Sequence, residues 1–134
     1  MPARLRDEAG AAVVDFVLMS LLLVLLLLGV LQTAVYFYAR NVVAASAADA
    51  ARYAAALGVD PAAGGPRAER LIHAGLPDGD AAAIHCTGAA GYDAVSGLAT
   101  TTVHCTGRLR LFFLPLHLPL SIDVTSSALK EQQP

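Results

Sequence analysis

Between Ala11 and Tyr38 the chain carries one side chain that is charged at neutral pH, Asp15. Apart from Gln32, the rest of that run is apolar or small, and Leu21 to Leu28 is unbroken aliphatic. A helix needs roughly 20 apolar residues to cross a bilayer, and this run exceeds that. The core helix of a soluble protein shows a polar face; here none develops before Gln32. The segment therefore predicts a single membrane-spanning helix and leaves one small domain for the remainder of the 134 residues. The chain is 56% hydrophobic, and much of that excess lies in this one segment.

A cleaved secretory signal is the main rival. Its apolar region runs about 7–15 residues and ends at an Ala-x-Ala-like site. Ala45-Ser46-Ala47 has that form but lies well past the apolar run, after Arg40 and Asn41. No cysteine closely follows the run, which argues against a lipoprotein anchor. Arg4 and Arg6 flank one end of the run and Arg40 and Arg52 the other. The positive-inside rule thus leans only slightly toward an N-terminus inside and a C-terminal domain outside.

Asp15 stands inside the apolar run near its start. A carboxylate at the centre of a bilayer costs about 2.5–3.5 kcal/mol, so an intramembrane acid is a functional candidate by default. The alternative is an interfacial acid stabilised by the helix macrodipole. Its setting is specific. A short polar stretch with Arg4 and Arg6 ends in Gly10, the apolar helix begins at once, and the acid follows in Gly10-Ala11-Ala12-Val13-Val14-Asp15-Phe16. This resembles the cleavage region of type IV prepilins and pseudopilins, and most closely the TadE-like pseudopilins (minor pilins) of the tight-adherence pilus. Ala50-Ala51-Arg52-Tyr53-Ala54-Ala55 resembles the end of that family's helix. The similarity covers about residues 6–57 and continues loosely beyond. Asp15 departs from the usual Glu and shortens the reach by one methylene.

The resemblance implies processing between Gly10 and Ala11 by a prepilin peptidase and an assembly role for Asp15. It implies partnership with other pilin-like subunits and an inner-membrane pilus platform, in a bacterial cytoplasmic membrane, with extraction into a surface pilus as a further step. Cleavage would leave an amine at Ala11, on the same helix face as Asp15.

Beyond Tyr38 the pattern turns Ala-rich, and Gly58 with Pro61 supplies a stop. A helix over Ala11 to Leu57 would be about 70 Å long; the alternative is two helices with a break near Arg40. The small residues from Ala44 to Ala56 permit close approach of another backbone, and the protein's own sheet is the preferred cover. Asp60 to Pro66 reads as a linker, Pro66 to Ala74 as a short helix with Leu71 and Ile72 inward, and Gly75 to Asp80 as a turn. Three strand-like stretches follow, at Ala82 to Thr87, Thr100 to Phe113 and Leu118 to Thr125. The expected fold class is α+β and pilin-like, a long N-terminal helix packed against a small antiparallel sheet. The expected organisation is a leader over 1–10, the helix over 11–57, a linker with a short helix over 58–80, a β domain over 81–129 and a flexible tail over 130–134.

His85-Cys86-Thr87-Gly88 recurs as His104-Cys105-Thr106-Gly107. Two Cys and two His compose a tetrahedral zinc set. Neighbouring residues of a strand point to opposite faces, however, so a converging Cys pair sends the His pair away. A cross-strand disulfide between Cys86 and Cys105 fits better, with two free thiols as the alternative in a reducing compartment. His73 and His117 stand alone and read as surface residues.

The formal charge of −2 gives no basic surface for nucleic acid. No phosphate-binding glycine loop, carboxylate pair or nucleophile–base geometry is recognisable, so neither an enzyme, a cofactor nor a small-molecule substrate is expected. The expected contacts are the lipid bilayer and other proteins. A single-pass envelope protein with a small extracellular binding domain, unprocessed at Gly10, is the competing reading.

Overall fold

A computed structural model describes residues 4–110 and 120–131, with side chains from Gly10 onward. The first helix, α1, runs from Arg4 to Ala55 without a break at Arg40. It starts before the expected Ala11 because nothing in Arg4–Gly10 stops a helix. The stretch has no proline, and Arg, Leu, Glu and Ala are good helix formers. The chain divides after Val35 into two compact units, and each is described by itself.

In the first unit, α1 presents its large side chains outward. Phe16 is 74% exposed and Leu23 64%. Ser20 Oγ donates to Phe16 O at 2.7 Å, and Thr33 Oγ1 donates to Gly29 O at 2.8 Å. Both hydroxyls thus return their protons to the helix backbone and need no water.

The second unit begins at Tyr36. Here α1 reverses its habit and buries small residues. Ala39, Val43, Ala47, Ala50, Ala51 and Ala54 all lie in the core. The helix ends at Ala55, and Gly58 takes a positive φ of 78° in the turn that follows. Asp60 then caps a short 3-10 turn over Pro61–Ala63, its Oδ1 accepting from Ala62 N at 2.9 Å.

Helix α2 spans Gly64–Gly75 and buries Ala68 and Ile72, with Leu71 half-buried. Its bounds are wider than the expected Pro66 to Ala74. A one-turn helix, α3, occupies Asp78–Ala81, where a plain turn was expected; Asp78 and Asp80 in its first turn suit the dipole.

The sheet is β1 (Ile84–Tyr92), β2 (Ala99–Leu109) and β3 (Leu120–Leu129), antiparallel in the order β1-β2-β3. Its inner face supplies Ile84, Cys86, Val103, Cys105, Leu109 and Ile122 to the core. The small residues of α1 are covered by this sheet and by α2. Thr101 Oγ1 donates to Ala54 O, and Gly64 sits where a Cβ would meet Ala54 and Val103. Gly65 is tighter still, because a Cβ there would lie 2.6 Å from Cys86 O. These contacts make the fold the expected α+β arrangement, a long apolar helix with a three-stranded antiparallel sheet packed on its small-residue stretch.

β1 and β3 both run further than expected, to Tyr92 and Leu129. The alternation expected over Leu111, Phe112 and Phe113, and the positions of His117 and Leu118, lie outside the described residues. Lys130 and Glu131, placed in an expected flexible tail, are tied down. Lys130 N donates to Ala99 O, Lys130 Nζ to Val59 O and Glu131 N to Ala55 O. Glu131 Oε2 accepts from Leu57 N at 3.3 Å. Two carbonyls at and just past the end of α1, Ala55 O and Val59 O, thereby gain donors.

Candidate functional site

Gly10, Ala11 and Asp15 all lie within α1 and are exposed. Among the described residues, nothing beyond the helix's own backbone lies within 4 Å of the position a Cβ on Gly10 would occupy. Ala11 and Asp15 are one helical turn apart and share a face. The large apolar side chains around Asp15, from Val13 to Met19, are more than half exposed. The helix stretch Gly10–Ala55 is long and apolar enough to cross a membrane once. The site is thus an exposed stretch within α1, carrying one acid near the head of its apolar run.

Gln32 is the polar exception deeper in this unit. It is 9% exposed, and its Oε1 has no hydrogen-bond partner among the described residues. Sequence reasoning marked it only as the end of the apolar face.

In the second unit Cys86 and Cys105 are joined as a disulfide. They sit directly opposite one another in the β1–β2 register, both buried. The strand period then sends their histidine neighbours to the outer face, and both are exposed. Each lies near a carboxylate. His104 Nε2 lies 3.0 Å from Asp123 Oδ1, and His85 Nδ1 lies 3.9 Å from Glu69 Oε1. Glu69 also accepts the backbone N–H of Cys86 at 3.0 Å. Among the described residues no group of three or more His, Cys, Asp or Glu is placed to hold a metal ion. His73 is exposed.

The β1–β2 connection is ordered by Asp93. Its Oδ2 accepts from Ser96 Oγ at 2.6 Å and from Ser96 N at 3.2 Å, and its Oδ1 from Val95 N at 3.4 Å. These bonds, the Ser96 hydroxyl foremost, hold the Asp93 carboxyl below its ordinary range.

Residues 10–52 match the family model of TadE-like proteins. The match opens on Gly10 and closes on Arg52, so it lies wholly within α1. The resemblance read from the sequence therefore holds over this helix. No curated protein and no solved structure matches the chain.

Proposed function

We propose that this chain is a membrane-anchored pseudopilin or minor pilin that takes part in assembling a tight-adherence pilus or a related secretion apparatus. The observation that carries the reading is the TadE-like match, which begins at Gly10 and ends within the same helix. The part is structural rather than catalytic. A prepilin peptidase cuts between Gly10 and Ala11, both exposed on α1. The chain then lies N-terminus inside and C-terminal domain outside. The Cys86–Cys105 bridge supports that orientation, because disulfides persist in oxidising compartments.

The chemistry at the new N-terminus follows from helix geometry. The amine at Ala11 and the carboxylate of Asp15 share one face, either within a chain or across to a neighbouring subunit. An unpaired charge in a low-dielectric layer is costly, so pairing favours assembly in one register. Other pilin-like subunits and the inner-membrane platform are the partners this implies.

Intact mass and N-terminal peptide mapping of the protein from its native membrane test the reading. A mature start at Ala11 is expected. A start at Met1 or Pro2 in functional protein would point instead to a plain anchored envelope protein, and a start near Ser46 to a secreted one. In the same cells Asp15→Ala is expected to insert normally but to incorporate poorly into assemblies, and Asp15→Glu to restore incorporation. Equal incorporation of the alanine variant would remove the assembly role of Asp15.

A further inference from the structure

The two edges of the sheet are unlike. Two backbone bonds fix which groups face outward. Lys130 N donates to Ala99 O one step beyond the Thr100↔Leu129 pair. Even-numbered residues of β3 therefore turn their N–H and C=O toward β2, and Ser121, Asp123, Thr125, Ser127 and Leu129 turn theirs away. At the other edge, Asp93 N donates to Leu98 O one step beyond Tyr92↔Ala99, so the even residues of β1 face outward.

The β1 edge is occupied over its first half. Glu69 takes the outward Cys86 N–H, and Gly65 and Pro61 lie against Cys86 and Gly88. Along β3, no described residue bonds to the outward backbone groups. Edge strands are ordinarily blunted by brevity, proline, lysine or a bulge. β3 has none of these. It is ten residues long, its register with β2 is unbroken, and Asp123 is its one charged residue. Val124 and Ala128 on its inner face are only partly buried against the core.

We propose that the free edge of β3 docks an extended segment of a different polypeptide, which adds antiparallel as a fourth strand and brings a basic residue to Asp123. Main-chain bonds to the five outward residues supply the affinity, and alternate side chains supply the specificity. Apolar residues at alternate positions of the incoming strand cover Val124 and Ala128. Charge argues against a second copy of this chain. Its β3 would bring another acid and no base, and the half of its β1 edge left open by Glu69, Gly65 and Pro61, Ala89 to Tyr92, carries no base. The proposal does not depend on cleavage after Gly10.

The test places a photoreactive phenylalanine analogue at Ser121, at Ser127 or, as a control, at Thr87 in the full chain in its native membrane, and maps the cross-linked peptides. Ser121 and Ser127 are expected to mark two points about six residues apart on one extended segment of another protein, in reverse order, with a Lys or Arg between them. Thr87 is expected not to reach that segment. Thr125→Pro removes only an outward N–H, and Asp123→Lys reverses the charge. Each is expected to lower the cross-link yield about tenfold, the effect of losing roughly 1.4 kcal/mol, while the disulfide and thermal midpoint are kept. If Thr125→Pro fails to fold, Asp123→Lys decides. Cross-links to a second copy, to scattered sites or to nothing would overturn the proposal, as would a mapped segment that Asp123→Lys leaves unaffected.

Discussion

Leu21 to Leu28 and Ala44 to Ala55 belong to one helix and answer opposite demands. The first stretch exposes large aliphatic side chains, and the second buries small ones under a sheet. Size is the deciding variable. A backbone can approach an alanine face closely, as Gly64 approaches Ala54. A leucine face keeps neighbours at a distance and offers apolar area to lipid instead. Continuity of the backbone therefore says little about what surrounds it, and the side-chain volumes say most of it.

This contrast can be broken by experiment. The largest effect is expected in the second unit from replacing both Cys86 and Cys105 with alanine. The loop-entropy account gives a loss of about 3 kcal/mol in denaturant unfolding of the detergent-solubilised full chain. A loss below 1 kcal/mol would mean that the α1–sheet contacts, rather than the bridge, hold this unit. Gly65→Ala comes next. Its new methyl would meet the Cys86 carbonyl, which is backbone and cannot swing aside, so a loss of about 1–3 kcal/mol is expected.

The same measurement on Leu22→Ala, in the first stretch, is expected to show less than about 0.5 kcal/mol of change, because that side chain is exposed and contributes nothing to the core. A drop as large as that of Gly65→Ala would collapse the distinction between the two stretches. The smallest effect concerns acid. Asp93 has its carboxyl held below the ordinary value of 3.8, so the order it gives the loop is complete above that value and is lost as pH falls through the lower one. Amide resonances of Val95 and Ser96 should titrate with a midpoint below 3.8, and Asp93→Asn should abolish that titration.

The apolar run was legible because membrane helices are written in consecutive residues, with no tertiary context required. The outward turn of His85 and His104 was legible for a similar reason, since strand period alone dictates it. Three features were not legible. The start of α1 at Arg4 was hidden because a polar leader and a polar first turn have the same composition. The second half of β1, with Ala89, Ala90 and Gly91, has neither alternation nor strand propensity and is held by its register with β2. Lys130 and Glu131 look like a solvated tail in sequence. They are fixed by backbone groups just beyond the end of α1 and more than seventy residues earlier, the Lys130 ammonium donating to Val59 O and the Glu131 carboxylate accepting from Leu57 N.

At the candidate site the residues Gly10, Ala11 and Asp15 stood out by order along the chain, whereas the free edge of β3 did not. Which residues face outward depends on pairing parity, and a shift of one residue would exchange them.

The bridge also bears on survival under attack by proteases. The connection between β1 and β2 is open to cleavage, with Val95 96% exposed at its tip. A peptide bond cut there lies between the two bridged cysteines. The fragments would stay covalently linked, each still carrying its share of the sheet, and β2 would remain clasped between β1 and β3. Nicked and intact protein would migrate together until a reductant is added. A molecule built this way can lose the continuity of its backbone and keep its shape.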